Sequence, residues 1–144
     1  MLRSQLGDSI FWRSIREYYA QYAGKTAVSE DLQRVFETVS GKNLNTFFKQ
    51  WLYTPGQPDL DINWKYDQSK KSFSVTVIQK QTRLFEFPLE VEILGGPEDG
   101  TITKSIQVKD KQTTFTLPLA SKPQRVRVDP QVKLLFDGKL TELP

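Results

Sequence analysis

Few side chains in this sequence could do chemistry, and most of those are carboxylates. Asp59 and Asp61 lie two residues apart, as do Glu90 and Glu92. In an extended segment each pair would share one side of the chain. Two carboxylates held together can divide into an acid and a base when burial raises the pKa of one. Both pairs alternate with apolar residues, however, and that is the pattern of a solvated strand face, which we favour. Glu98-Asp99-Gly100 offers oxygens for a calcium loop but lacks the alternating ligands of one, so it reads as a surface turn.

The residues that are absent are more informative. The chain has 144 residues, no histidine and no cysteine. Imidazole is the commonest zinc ligand and the commonest general base near neutral pH. Without imidazole and thiol there is no Ser-His-Asp triad, no Cys-His pair and no H-E-x-x-H site within these residues. No catalytic, cofactor-binding or metal-ligating residue is therefore expected in this chain. Lack of cysteine suits reducing and oxidising compartments alike, so the sequence assigns no location.

Lys65, Lys70, Lys71 and Lys80 near Trp64, Tyr66 and Phe73 could line a nucleic-acid surface on an OB-like barrel, with Arg125, Arg127, Lys133 and Lys139 extending it. Acidic residues are interleaved with them, the formal net charge is only +3, and no RNP-like motif is present. No nucleic-acid partner is expected. No apolar run approaches the roughly 20 residues that cross a bilayer, so no membrane span is expected. Met1-Leu2-Arg3-Ser4-Gln5-Leu6 has no apolar h-region and does not read as a signal peptide.

Hydrophobic spacing gives the elements. Phe11, Ile15, Tyr18, Tyr19 and Tyr22 fall on one face of a helix, with Asp8 as its cap and Gly24 after its end. Leu32, Val35, Phe36 and Val39 mark a second helix, capped by Ser29 and stopped at Ser40-Gly41. Leu44, Phe47, Phe48, Trp51 and Leu52 mark a third, capped by Asn43 and ended by Thr54-Pro55-Gly56-Gln57-Pro58.

After Pro58 the period becomes 2. Ile62-Trp64-Tyr66, Phe73-Val75-Val77 and Phe85-Phe87-Leu89-Val91-Ile93 alternate with polar residues. A turn at residues 95–100 follows. Ile102, Ile106 and Val108, then Phe115, Leu117 and Leu119, then Val126 and Val128, and last Leu134 with Phe136 suggest four more strands. The expected fold is α+β in two segregated parts. A three-helix segment (1–53) leads through a linker (54–59) to an antiparallel fibronectin-like or immunoglobulin-like β-sandwich of about seven strands (60–144).

Three short helices bury too little surface to offset chain entropy well, yet their faces are rich in aromatics. Phe47, Phe48 and Trp51 could frame a ligand pocket, but such a stripe is more often core or interface. We take Phe11, Tyr18, Tyr19, Phe47, Phe48 and Trp51 as candidates for a domain interface. Left uncovered, that face would favour self-association.

The run Asp31-Leu32-Gln33-Arg34-Val35-Phe36-Glu37-Thr38-Val39-Ser40-Gly41-Lys42-Asn43-Leu44, then Phe47-Phe48-Lys49-Gln50-Trp51-Leu52 and Pro55-Gly56-Gln57-Pro58, resembles the end of the catalytic domain in aminopeptidase-N-like gluzincins. Leu6-Gly7-Asp8, Phe11-Trp12 and Tyr18-Tyr19 resemble the preceding helix of that family. Val77-Ile78-Gln79-Lys80-Gln81, Phe87-Pro88-Leu89 and Val128-Asp129-Pro130 resemble the sandwich that follows. The resemblance implies a zinc metallopeptidase parent that hydrolyses N-terminal residues from peptides. Its zinc would be held by two His of H-E-x-x-H and a Glu on the next helix. A Glu base, an oxyanion-stabilising Tyr and a Gly-rich exopeptidase motif complete the family's site, all upstream of this segment.

None of Tyr18, Tyr19, Tyr22, Tyr53 or Tyr66 stands in the context of the catalytic Tyr, so no catalytic residue carries over. The chain reads as a non-catalytic C-terminal fragment that gives the catalytic domain structural support, with that upstream domain as its partner. Two rivals stand beside this reading. One is a free-standing sandwich adaptor that binds a protein or carbohydrate through exposed edge strands. The other is part of a catalytically dead relative.

Overall fold

The computed structural model describes residues 1–95 and 100–144. The turn expected at residues 95–100 and the Glu98-Asp99 calcium-loop reading fall largely outside the described residues. The chain divides into two compact units, Met1–Pro55 and Gly56–Pro144.

The first unit holds α1 (Leu2–Leu6), α2 (Asp8–Tyr22), α3 (Ser29–Ser40), α4 (Asn45–Phe48) and a π-helical turn, Lys49–Tyr53. Helix α1 was not anticipated: its five residues are too few for a periodic signal, and Gly7, at φ 80°, separates it from α2. The caps also differ from expectation. Asp8 is the first residue of α2 and not its cap, and its carboxylate takes both Nε and a terminal nitrogen of Arg3 at 2.8 and 2.7 Å. That pairing, first through the hydrogen bonds, lowers the Asp8 pKa.

Helix α3 is preceded by Val28, so Ser29 lies within it. Asp31 reaches back to accept the Val28 N–H at 3.1 Å, so the cap expected from Ser29 comes instead from a side chain inside the first turn. Gly41, at φ 68°, ends α3 in the left-handed conformation that a Cβ would disfavour. Leu44 precedes α4, while Asn43 Oδ1 accepts the Asn45 N–H at 2.9 Å.

The expected third helix is thus only partly α-helical. Its widened second half re-aims the face: Gln50 is buried, whereas Leu52 is half exposed. Leu6, Phe36, Leu44 and Phe48 form the core, with Leu2, Ile10, Phe11, Ile15, Leu32 and Phe47 packed on it.

The second unit has seven strands: β1 (Asp59–Asp67), β2 (Ser72–Gln79), β3 (Phe87–Leu94), β4 (Thr101–Val108), β5 (Gln112–Pro118), β6 (Arg125–Val128) and β7 (Asp137–Glu142). They form a four-stranded sheet, β5-β2-β1-β7, and a three-stranded sheet, β4-β3-β6, in a sandwich-like layout. Burial alternates along β1, β2 and β3, as period 2 requires. The inward residues Leu60, Ile62, Phe73, Val75, Val77, Leu89, Val91 and Ile93 are buried.

Two expectations fail at the end of the chain. The last strand is Asp137–Glu142 and not Leu134–Phe136, and it pairs with β1 in parallel, Asp59 beside Asp137 and Trp64 beside Glu142. Among the described residues the other pairings are antiparallel. Asp137-Gly138-Lys139-Leu140-Thr141-Glu142 is an edge strand with one aliphatic residue, so it has no hydrophobic alternation to read.

Candidate functional site

The paired carboxylates sit where their spacing put them, each beside a cation. Lys80 Nζ lies 2.9 Å from Asp59 and 3.7 Å from Asp61. Its hydrogen bond to Asp59 is the main cause of its raised pKa. Glu90 pairs with Lys133 and Glu92 with Arg127, both at 2.7 Å. These are partly exposed ion pairs, an arrangement that contributes at most about 1 kcal/mol per pair.

The basic and aromatic residues separate. Trp64 and Phe73 are buried and pack on each other, ring centroids 5.8 Å apart, while Lys65, Lys70 and Lys71 are exposed. Period 2 sends neighbouring residues to opposite faces, so bases could not stack on these rings beside the lysines. Two sheets in the order described also differ from an OB barrel.

The six candidate interface residues fall into three environments. Phe48 is buried in the helical core, and Phe11, which meets Phe36 edge-on at 5.5 Å, is half-buried. Phe47 bridges Phe48 and Trp51 at 5.8 and 6.4 Å. Tyr18 stacks on Tyr22 at 5.2 Å, and Tyr19 projects outward, 73% exposed. Trp12, one helical repeat from Tyr19, is exposed with the Arg3 guanidinium 5.4 Å from its ring. The helices thus bring part of the stripe together as core and leave Tyr19 outside.

Two polar residues that matter were not singled out from the sequence. Gln79 is fully buried, at an inward position of β2. Its Nε2 donates to Phe85 O at 3.0 Å and Asp110 O at 3.1 Å. Its Oε1 accepts from Phe85 N–H at 2.9 Å and from Gln81 Nε2 at 2.7 Å. Gln81 Oε1 in turn accepts the Asp59 N–H at 3.0 Å. The Gln79 side chain therefore ties the segment after β2 to the β4–β5 turn, and Gln81 extends the network to β1. The readable signal was a Gln where Phe73-Val75-Val77 calls for another apolar residue.

Asp129 is buried at φ 45°, and its carboxylate accepts the N–H groups of Lys133 and Leu134, both at 2.9 Å. It closes the turn that leads out of β6. Both residues position backbone.

A zinc site does not fit these residues. Imidazole and thiolate are missing, and among the described residues no three acidic side chains are placed to hold a metal ion.

No protein-family model matches the chain. Aminopeptidase N of Lactococcus lactis subsp. lactis is 31% identical over 101 residues, covering 68% of this chain and 12% of that protein. Aminopeptidase N of Haemophilus influenzae is 33% identical over 79 residues, 55% of this chain and 9% of that one. The chain is aminopeptidase-N-like. Puromycin-sensitive aminopeptidase of Caenorhabditis elegans matches this aminopeptidase-N-like chain at 24% identity over 81% of its length and 13% of its own. The crystal structure of Legionella pneumophila aminopeptidase A in complex with aspartic acid shares the fold. Its TM-score is 0.80 over 96% of this chain and 16% of that one, at 17% identity. This aminopeptidase-N-like chain spans 9–13% of the length of these curated relatives.

Proposed function

We propose that the chain is a non-catalytic fragment of a zinc-dependent aminopeptidase, giving structural support to the catalytic domain. The parent would hydrolyse N-terminal residues from peptides. On this reading residues 1–53 are the last helices of the catalytic domain, 54–59 a linker and 60–144 the following sandwich. Phe11, Tyr18, Tyr19, Phe47, Phe48 and Trp51 belong to the side that the rest of the catalytic domain meets. Zinc would be held by residues outside this chain, which has no imidazole to offer it. The observation that carries the proposal is a match to aminopeptidases over an eighth of their length, in a sequence with no histidine.

Two measurements test it. The purified chain should hold no stoichiometric zinc by metal analysis and should not hydrolyse aminoacyl-anilides. Tight zinc with turnover would overturn the non-catalytic reading. Removing the matching residues from the Lactococcus enzyme should abolish soluble, active protein. A truncated enzyme with full activity and unchanged thermal stability would remove the case for support and favour a separate binding module.

A further inference from the structure

Asp137 and Gly138 open β7, and both are exposed. The Gly138 N–H donates to Asp137 Oδ1 at 2.8 Å, so this nitrogen and the side-chain carboxyl lie on the same side of the Asp137 Cα. The Asp137 N–H is held by Pro58 O at 2.9 Å, which fixes the residue from its other flank. Glycine is imposed here by packing: a Cβ at residue 138 would stand 2.8 Å from Leu60 O and 3.2 Å from Leu60 Cβ. The same missing side chain leaves the nitrogen without a steric shield. The fold thus demands, at an exposed edge, the residue that makes the preceding aspartyl bond most open to attack.

We infer that Asp137-Gly138 is a self-modification site, where the folded chain converts aspartate to isoaspartate. The Gly138 nitrogen bonds to Asp137 Cγ. The Cγ–OH bond breaks, and the hydroxyl leaves with the nitrogen's proton as water, closing a five-membered succinimide. Water then adds at either ring carbonyl. Opening at the main-chain carbonyl routes the backbone through the former side chain and leaves the mass unchanged. No oxidant or other co-reactant is needed. The added methylene falls on the first rungs of the β1–β7 ladder, Asp59 beside Asp137 and Leu60 beside Gly138. Since β7 pairs with β1 alone, the register of the whole edge strand depends on those rungs.

The test is to age the full chain in mildly acidic buffer, natively and in urea, and to digest it. The peptide containing Asp137 is then resolved by chromatography, backbone-diagnostic fragmentation and isoaspartyl-methyltransferase labelling. Asp99-Gly100, the other Asp-Gly pair, falls on a different tryptic peptide and is scored apart. An isomer of equal mass should accumulate at Asp137 in the native chain at least as fast as in urea. It should be absent in Asp137→Glu, whose cyclisation needs a six-membered ring. Asp137→Asn, which loses ammonia more readily, should convert faster to the mass of aspartate. Absence of the isomer from the native wild type, or growth confined to the urea sample, overturns the inference whatever the variants do.

Discussion

In the sheet unit Phe73, Val75, Val77, Leu89 and Ile93 have no exposed surface, whereas in the helical unit Trp12, Tyr19 and Tyr53 keep 44–73% of theirs. The sheet side chains come from strands far apart in sequence and cover one another. The helices are 4 to 15 residues long, at or below the length at which a helix persists without tertiary packing. The helical unit is the richer in aromatics, ten against seven in a shorter stretch, and is still the less self-sufficient. A two-faced sheet closes its own core, while a short amphipathic helix depends on what it is packed against.

Separation of the units probes this contrast most severely. Gly56–Pro144 produced alone should unfold in one cooperative urea transition, while Met1–Pro55 alone should lose most of its helical circular dichroism. A cooperative helical unit would break the comparison. Next in size is Gln79→Leu, which strips partners from Phe85 N–H, Phe85 O and Asp110 O. At roughly 1–3 kcal/mol per orphaned buried group, partly relieved by relaxation, a loss of about 3 kcal/mol is expected in urea denaturation. Ser14 is the helical counterpart, equally buried but bonded only to Ile10 O one turn back. Ser14→Ala should cost less than about 1 kcal/mol.

A smaller effect of opposite sign is expected at Val132, a β-branched residue at φ 52° and 86% exposed. Val132→Asn should stabilise the sheet unit by about 1 kcal/mol, read as a raised Tm. Smallest is a pH effect in the helices. The Val28 N–H first, then Tyr22 and Arg34, lower the pKa of Asp31 from its ordinary 3.8. A carboxyl with a depressed folded pKa contributes stability that is present above its unfolded value. That contribution is lost as pH falls through the lower folded one. Acid titration of the helical signal should therefore be shallower below the ordinary value in Asp31→Asn than in the wild type.

Legibility in the sequence followed the same division. From Ile62 to Ile93 the inward apolar residues Ile62, Trp64, Phe73, Val75, Val77, Leu89, Val91 and Ile93 were readable, because period 2 survives wherever one face is buried. Gln79 broke that period and was the clue to its own network. The β7 edge offered no such pattern and was placed three residues early. Among the helices, spacing located α2 and α3 but not the π-helical turn, since 3.6-residue periodicity cannot register a widened turn that swaps Gln50 for Leu52. Of the candidate interface residues, spacing alone could not separate Phe48, buried at the core, from Tyr19, which shares the same helical signal and stays exposed.

The parallel union of the first and last strands has a mechanical meaning. A chain that enters the sandwich at Asp59 and leaves along β7 is travelling in the same direction when it departs. Six paired residues at about 3.3 Å each carry it close to 20 Å along that axis. Pulling on the two flanks would load the β1–β7 hydrogen bonds in shear, all of them sharing the force at once, so the module is suited to transmit tension from one end to the other.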